Sequence, residues 1–286
     1  MLCVLTVGCH GSKNRDENLG VVGAGGSAAL DVQQLQKPEV LVTALRLSGA
    51  ERDRALGAHR RSIKQTLHIE PAGRPAEDLV LESTLISDGK GAFHLIEDTG
   101  KTSGMEAVST GGMVSIRPKD GQFVRRRPEP GELDRLRRTV EEPLAATLEL
   151  LRPALAVERA GAADSDGRKG TRLVLRRSAT PEAAPVETEP GRKWRQSVEV
   201  DSLSGELVVD ASGVPLSARL DAVYRFRRDA LAVKVTVQHT ESLGPAEPIS
   251  APANAVPPPE RPRPMLDRQT LLDGLAPPRR EVSALH

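Results

Sequence analysis

Between Leu203 and His239 the chain alternates apolar and polar residues in two opposite phases, and no other stretch restricts the fold so tightly. Val214, Leu216, Ala218, Leu220, Ala222, Tyr224 and Phe226 take the even positions, with Pro, Ser, Arg, Asp, Val and Arg between them. Beyond Arg227–Ala230 the phase reverses, and Leu231, Val233, Val235 and Val237 are apolar while Lys234, Thr236 and Gln238 are polar. A period of two marks a half-buried strand, and a phase reversal across a short polar break marks a hairpin. A four-residue turn would pair Phe226 with Leu231, Tyr224 with Val233, Ala222 with Val235 and Leu220 with Val237. All of these apolar side chains then share one face. Asp210-Ala-Ser-Gly213 predicts a second turn, setting Val209 against Val214, Leu207 against Leu216 and Leu203 against Leu220. Val198 and Val200 fall out of phase with that set, which predicts a bulge or bend near Gly205.

The same period recurs upstream. Ile63–Ile69 alternates, Asp78–Ser87 and Gly91–Asp98 flank the turn Asp88-Gly-Lys-Gly91, and Met113–Arg117 and Gln122–Arg126 flank Pro118-Lys-Asp-Gly121. Leu41, Leu45 and Leu56, with Ala44 and Ala55, predict one or two short helices ahead of these strands. One longer helix interrupts them: Leu133, Leu136, Val140, Leu144, Leu148, Leu151 and Leu155 step by three or four and form a single apolar stripe. Thr139-Val-Glu-Glu142 before Pro143 reads as a capping box, so the helix is expected to restart there as two segments. Arg135, Arg137, Arg138, Glu141, Glu142 and Glu149 are expected on its solvated side.

Composition narrows function mainly by exclusion. Forty basic residues against 39 acidic leave a net charge of +1, so no long-range field draws the chain to nucleic acid. Three Phe, one Trp and one Tyr are too few for a base-stacking platform. The six histidines form no H-x-x-x-H or H-E-x-x-H spacing, and there is no G-x-S-x-G elbow and no P-loop. No enzyme, metal or cofactor is expected. The Arg125–Arg127 and Arg225, Arg227, Arg228 clusters read as solvated strand ends. Val21-Val-Gly-Ala-Gly25-Gly-Ser-Ala28 matches the dinucleotide-binding glycine pattern, but no strand of useful length precedes it and no acidic residue ends a second one; a Gly/Ala spacer accounts for it.

Both cysteines, Cys3 and Cys9, lie in the first nine residues. Leu5-Thr-Val-Gly8 before Cys9 resembles the lipobox of bacterial lipoproteins, with a small residue at the cut and a thiol to carry the lipid. That resemblance implies lipidation at Cys9, a membrane anchor, and an envelope location on the periplasmic side of the outer membrane. It departs from the pattern in lacking a basic n-region and in its short apolar stretch. The chain then divides into a signal or lipobox segment (1–9), a flexible tether (10–37), a folded domain (38–244), a Pro-rich linker (245–264), and a short C-terminal helix and tail (265–286).

Strands, helix and a meander carrying Asp210-Ala-Ser-Gly213-Val-Pro215 behind a lipobox resemble the LolA/LolB/LppX group of envelope proteins, with Gly104-Met-Glu106 and Phe123 in comparable hairpins. The resemblance implies an α+β fold, mainly antiparallel β: a curved incomplete barrel with an amphipathic helix packed on its concave face. It also implies an apolar pocket lined by Leu207, Leu216, Leu220, Tyr224, Phe226, Val233 and Val235 on the sheet. Leu136, Val140, Leu144, Leu148 and Leu151 would form its lid. Two readings stay open. One is a carrier or sensor holding a lipid or acyl chain, with lipid or another lipoprotein as partner. The other is a structural or interaction lipoprotein whose core is solid and which acts through its Pro-rich tail.

Overall fold

Residues 33–100, 103–228 and 231–259 are described by the computed structural model. Cys9, the glycine-rich stretch and the tail helix expected from residue 265 lie outside them. Eleven antiparallel strands form one open sheet: β1 His59–Pro71, β2 Glu77–Ser87, β3 Phe93–Asp98, β4 Gly104–Thr110, β5 Met113–Pro118, β6 Val124–Arg126, β7 Leu155–Ser165, β8 Arg168–Arg177, β9 Glu199–Val209, β10 Pro215–Arg228 and β11 Leu231–Gly244. Their order is β6-β5-β4-β3-β2-β1-β11-β10-β9-β8-β7. Only the β1–β11 pairing joins distant parts of the chain; every other neighbour is a sequential hairpin. The two edges, β6 and β7, are consecutive strands, and the helices α3 Glu132–Glu141 and α4 Pro143–Leu151 connect them. With α1 Pro38–Ala44 and α2 Gly49–Leu56 they make the helical layer against the sheet. The expected α+β half-barrel with helices on one face is what the chain forms.

The interrupted helix restarts where expected. Pro143 has no amide to donate, and it opens α4 as the first residue after Glu142. The expected capping box is absent: the Thr139 hydroxyl donates to the Leu136 carbonyl at 2.8 Å, and Glu142 takes helical angles without a side-chain cap. A capping box does form elsewhere, at α2, between Ser48 and Glu51. Leu155, the last residue of the sequence stripe, opens β7 instead, after a tight Arg152–Ala154 turn containing Pro153.

Both meander hairpins form, with different registers. Phe226 pairs with Val233, Tyr224 with Val235, Ala222 with Val237 and Arg228 with Leu231. The connection therefore spans two residues, not four, and each partner moves by two positions. An even slip keeps the apolar set on one face. On the other side Leu207 meets Ala218, and Leu203 meets Ala222. An irregularity at Leu216 precedes these pairs and contributes to the shift; a second, at Asp201, follows them, and it is there that the bulge expected near Gly205 falls. Gly205 has a different role, since a Cβ there would lie 2.5 Å from the Arg219 carbonyl oxygen.

The folded body extends past its expected limits. Leu35 is fully buried in the main core. At the other end Val256 bridges Val124, its carbonyl accepting from the Arg125 amide at 2.8 Å and its amide donating to the Phe123 carbonyl at 2.9 Å. The last described stretch thus lies on the β6 edge.

Candidate functional site

The side chains expected to line a pocket separate into three groups. Leu207, Leu220, Tyr224, Val233 and Val235 join Leu144, Leu148 and Leu151 in the main cluster, and Phe226 packs against it half-buried. Leu136 and Val140 belong to a second cluster with Phe93 and Leu95. Leu216 belongs to a third, with Leu56, Val208, Val214 and Leu243; the irregularity at Leu216 parts it from the row that Ala218 and Leu220 continue. Leu148, Leu151, Leu207 and Leu220 have no exposed surface, so no internal cavity even the size of a water touches them. At its centre the interface between sheet and helices is filled.

It opens at one end. Leu67, Ile69, Val198, Phe226 and Leu231 pack on the main core but stay half-buried, at the end where β1 and β10 finish and β9 and β11 begin. Trp194, in the short 3-10 helix Pro190–Ser197, packs at a tilt against Phe226 with ring centroids 4.7 Å apart. Two clefts flank this mouth, and Arg225 lines both. One, of about 340 Å³, runs along Leu150, Ala154, Val198 and Val200 beneath the 181–187 loop. The other, of about 390 Å³, lies between the β1–β2 turn at Arg74 and Val233 on β11. Arg225 is held in place by Asp201, whose carboxylate accepts from its Nε and Nη2 at 2.9 and 2.8 Å.

The opposite half of the helical layer is charged. Arg137 on α3 donates from both terminal nitrogens to Asp53 on α2, each at 2.7 Å, and the Ser87 hydroxyl donates to the same carboxylate at 2.7 Å. Glu141 lies 3.7 Å from both Arg52 and Arg137. Arg61 on β1 pairs with Glu241 on β11. All six of these charged residues are buried, as are His59 and His239. Burial raises the Glu141 carboxyl against the pull of Arg52 and Arg137. It would raise Glu241 too, but the Arg61 guanidinium overrides it and holds that carboxyl well below its usual range. His59, driven down by burial, titrates at about 4.

Two of these residues differ from expectation: Arg137 and Glu141, expected on the solvated side of their helix, are buried. The strand members were legible by phase. His59 and Arg61 continue the odd row of Ile63, Leu67 and Ile69, and His239 and Glu241 continue that of Val233, Val235 and Val237. Among the described residues no group of three or more His, Cys, Asp or Glu is placed to hold a metal ion, and no helix is long and apolar enough to cross a membrane.

No protein-family model matches the chain, and no curated protein matches it. Solved structures do. LprF from Mycobacterium bovis aligns over 76% of this chain and 98% of its own, at 11% identity and a TM-score of 0.27. Lipoprotein LppX from Mycobacterium tuberculosis aligns over 75% and 99%, at 12% identity and 0.24. A LolA superfamily protein from Nitrosomonas europaea aligns over 75% and 95%, at 7% identity and 0.22.

Proposed function

We propose that this is a non-catalytic envelope protein, anchored through a lipid on Cys9, that carries or senses a lipid by taking an acyl chain into the mouth of its half-barrel. One observation carries the reading: a largely buried aliphatic core ends in a partly exposed row, Leu67, Ile69, Val198, Phe226 and Leu231, with Trp194 packed against Phe226. Apolar surface left in contact with water costs about 25 cal/mol per Å², and an acyl chain laid along the row removes it. A binding mouth is where a fold retains such a surface. Trp194 is the only tryptophan in the chain, so its emission reports occupancy without labelling. Native mass spectrometry after gentle purification is expected to show co-purifying lipid, absent in Phe226→Asp, and added lysophosphatidylcholine is expected to shift Trp194 emission. A clean unliganded mass together with a flat Trp194 titration would sink the idea.

The second reading, a structural or interaction protein with a solid core, draws on the zero exposure of Leu148, Leu151, Leu207 and Leu220. It expects that same clean mass and unresponsive tryptophan.

A further inference from the structure

The two larger apolar clusters beneath the helices stay separate, and a file of polar side chains runs between them along the seam where β1 meets β11. On β11 the row of the main cluster ends at Val237 and gives way to His239 and Glu241; on β1 it ends at Leu67 and gives way to Gln65 and, past Ile63, to Arg61. Glu141 and Arg52 continue the file into the helical layer, and all six of these polar residues are buried. At the α4 end it is closed by direct bonds. The Gln65 amide donates to the Thr147 hydroxyl at 2.9 Å, and that hydroxyl donates to the Pro143 carbonyl at 2.8 Å. Elsewhere the spacing is wider: Arg52 Nε stands 3.7 Å from Glu141 Oε2, Arg137 Nη2 3.7 Å from Glu141 Oε1, and His239 Nε2 3.7 Å from Glu241 Oε2. Among the described residues nine buried side-chain polar atoms lack a hydrogen-bond partner. Five of them belong to this file: Arg52 Nη1, Arg61 Nε, Glu141 Oε1 and both ring nitrogens of His239.

Folded proteins leave few buried polar groups unpaired, and polar groups set just beyond hydrogen-bond reach are bridged by water. The chemistry of the file selects the bridging species. Arg52 and Arg61 balance Glu141 and Glu241, and the unpartnered atoms include donors, Arg52 Nη1 and Arg61 Nε, as well as an acceptor, Glu141 Oε1. An anion would meet the two carboxylates and a cation the two guanidiniums. Water is neutral and both donates and accepts. We infer that ordered water molecules are a fixed part of this file, joining Glu141 to Arg52 and Arg137 and joining Glu241 to His239, and that the wet file walls the main core from the second cluster. Such water completes the hydrogen-bond shells that ion pairs at 3.7 Å leave open, a condition for keeping charge inside a fold. For an acyl chain entering at the mouth, the wall is the end of the groove. That last property alone rests on the acyl-chain reading.

The test is a crystal structure of the full chain at a resolution that shows ordered water, paired with oxygen-17 relaxation dispersion, which counts water molecules held longer than the protein takes to tumble. One water bridging Glu141 to Arg52 or Arg137, another bridging His239 to Glu241, and about two or more long-lived molecules in solution are expected. Arg52→Met with Glu141→Met keeps the file neutral and is expected to lose at least one of them. His239→Phe, at the other end of the gap, is expected to lose another, in a chain whose circular dichroism matches the parent's. Direct hydrogen bonds between those partners with no water in the file, or a count that neither variant lowers, overturns the inference. Lysophosphatidylcholine bound at the mouth is expected to leave the count unchanged. A fall on loading refutes the wall, whereas a flat Trp194 titration refutes the groove and leaves the water in place.

Discussion

Replacing Arg137 with methionine keeps most of the side-chain volume and removes the charge that holds Asp53 in place. Asp53 would then be left, buried, with a single hydrogen bond from Ser87 where it now accepts three. Breaking a buried ion pair from one side costs about 3–5 kcal/mol, because the remaining charge keeps its desolvation and loses its partner. Removing both charges is a different perturbation. Asp53→Leu with Arg137→Met exchanges the pair for aliphatic groups beside Phe93, whose ring already lies 5.7 Å from the guanidinium, and such exchanges are often neutral or stabilising. Single variants losing about 3–5 kcal/mol, a double variant within about 1 kcal/mol of the parent, and therefore a coupling of at least about 5 kcal/mol are expected. Urea melts followed by circular dichroism give all four corners of the cycle. A double variant whose loss equals the sum of the singles would show that the two groups act separately, and the account of α2 clamped to α3 would fall. Gly49 supplies a cross-check, since a Cβ there would sit 2.4 Å from Arg137 Nε: Gly49→Ala should destabilise the parent and much less the Arg137→Met variant.

Three further outcomes follow from the same geometry. His59 folds neutral and titrates at about 4 against an ordinary 6.5. The stability from keeping it neutral is complete above pH 6.5 and is lost as pH falls toward 4, because the unfolded chain binds the proton first. Melts across that window should show about 3 kcal/mol of loss that His59→Gln removes. Leu220→Ala, in the fully buried part of the core, should cost about 2–5 kcal/mol, whereas Leu231→Ala at the half-exposed mouth should cost about 1 kcal/mol or less. Ending the chain after Gly244 removes the Val256 carbonyl that accepts from the Arg125 amide, so hydrogen exchange at Arg125 should quicken while the β10–β11 amides stay protected.

The alternation in residues 214–237 identified the strands and the face they bury, yet it could not identify their partners. A register slip of two residues leaves every apolar side chain on the same face, so Phe226 meets Val233 where alternation alone allowed Leu231. The β7–β8 hairpin shows the opposite case: its Asp166-Gly167 turn, both residues at positive φ, is a strong dipeptide signal for a hairpin. Of the candidate lining residues, the main group emerged because period and burial agree there. Arg137 and Glu141 did not, because a helix position beside the apolar stripe is buried or solvated according to what the next helix offers. Here α2 offers Arg52 and Asp53, residues that no local pattern connects to residue 137.

Both halves of the helical layer pack apolar side chains on the sheet, but only one is also cross-linked by charge, and the difference decides which half can yield. Besides the packing of Leu136 and Val140 on Phe93 and Leu95, α3 is tied to α2 by directional contacts at fixed distances, and no acyl chain can substitute for a guanidinium facing Asp53 or Glu141. The α4 half is bound by Leu144, Leu148 and Leu151 against Leu207, Leu220 and Val235, contacts that are non-directional and that a methylene chain reproduces at little cost. Between them lies Glu142–Pro143, where the missing proline amide leaves the helix one backbone hydrogen bond short. A ligand entering at the mouth meets the replaceable half first, since Leu150 and Ala154 already border the cleft. Lipid loading should accordingly raise hydrogen exchange along 144–151 and leave 133–141 unchanged. Equal loosening of both helices would mean that the layer moves as one body and that the charged clamp does not divide it.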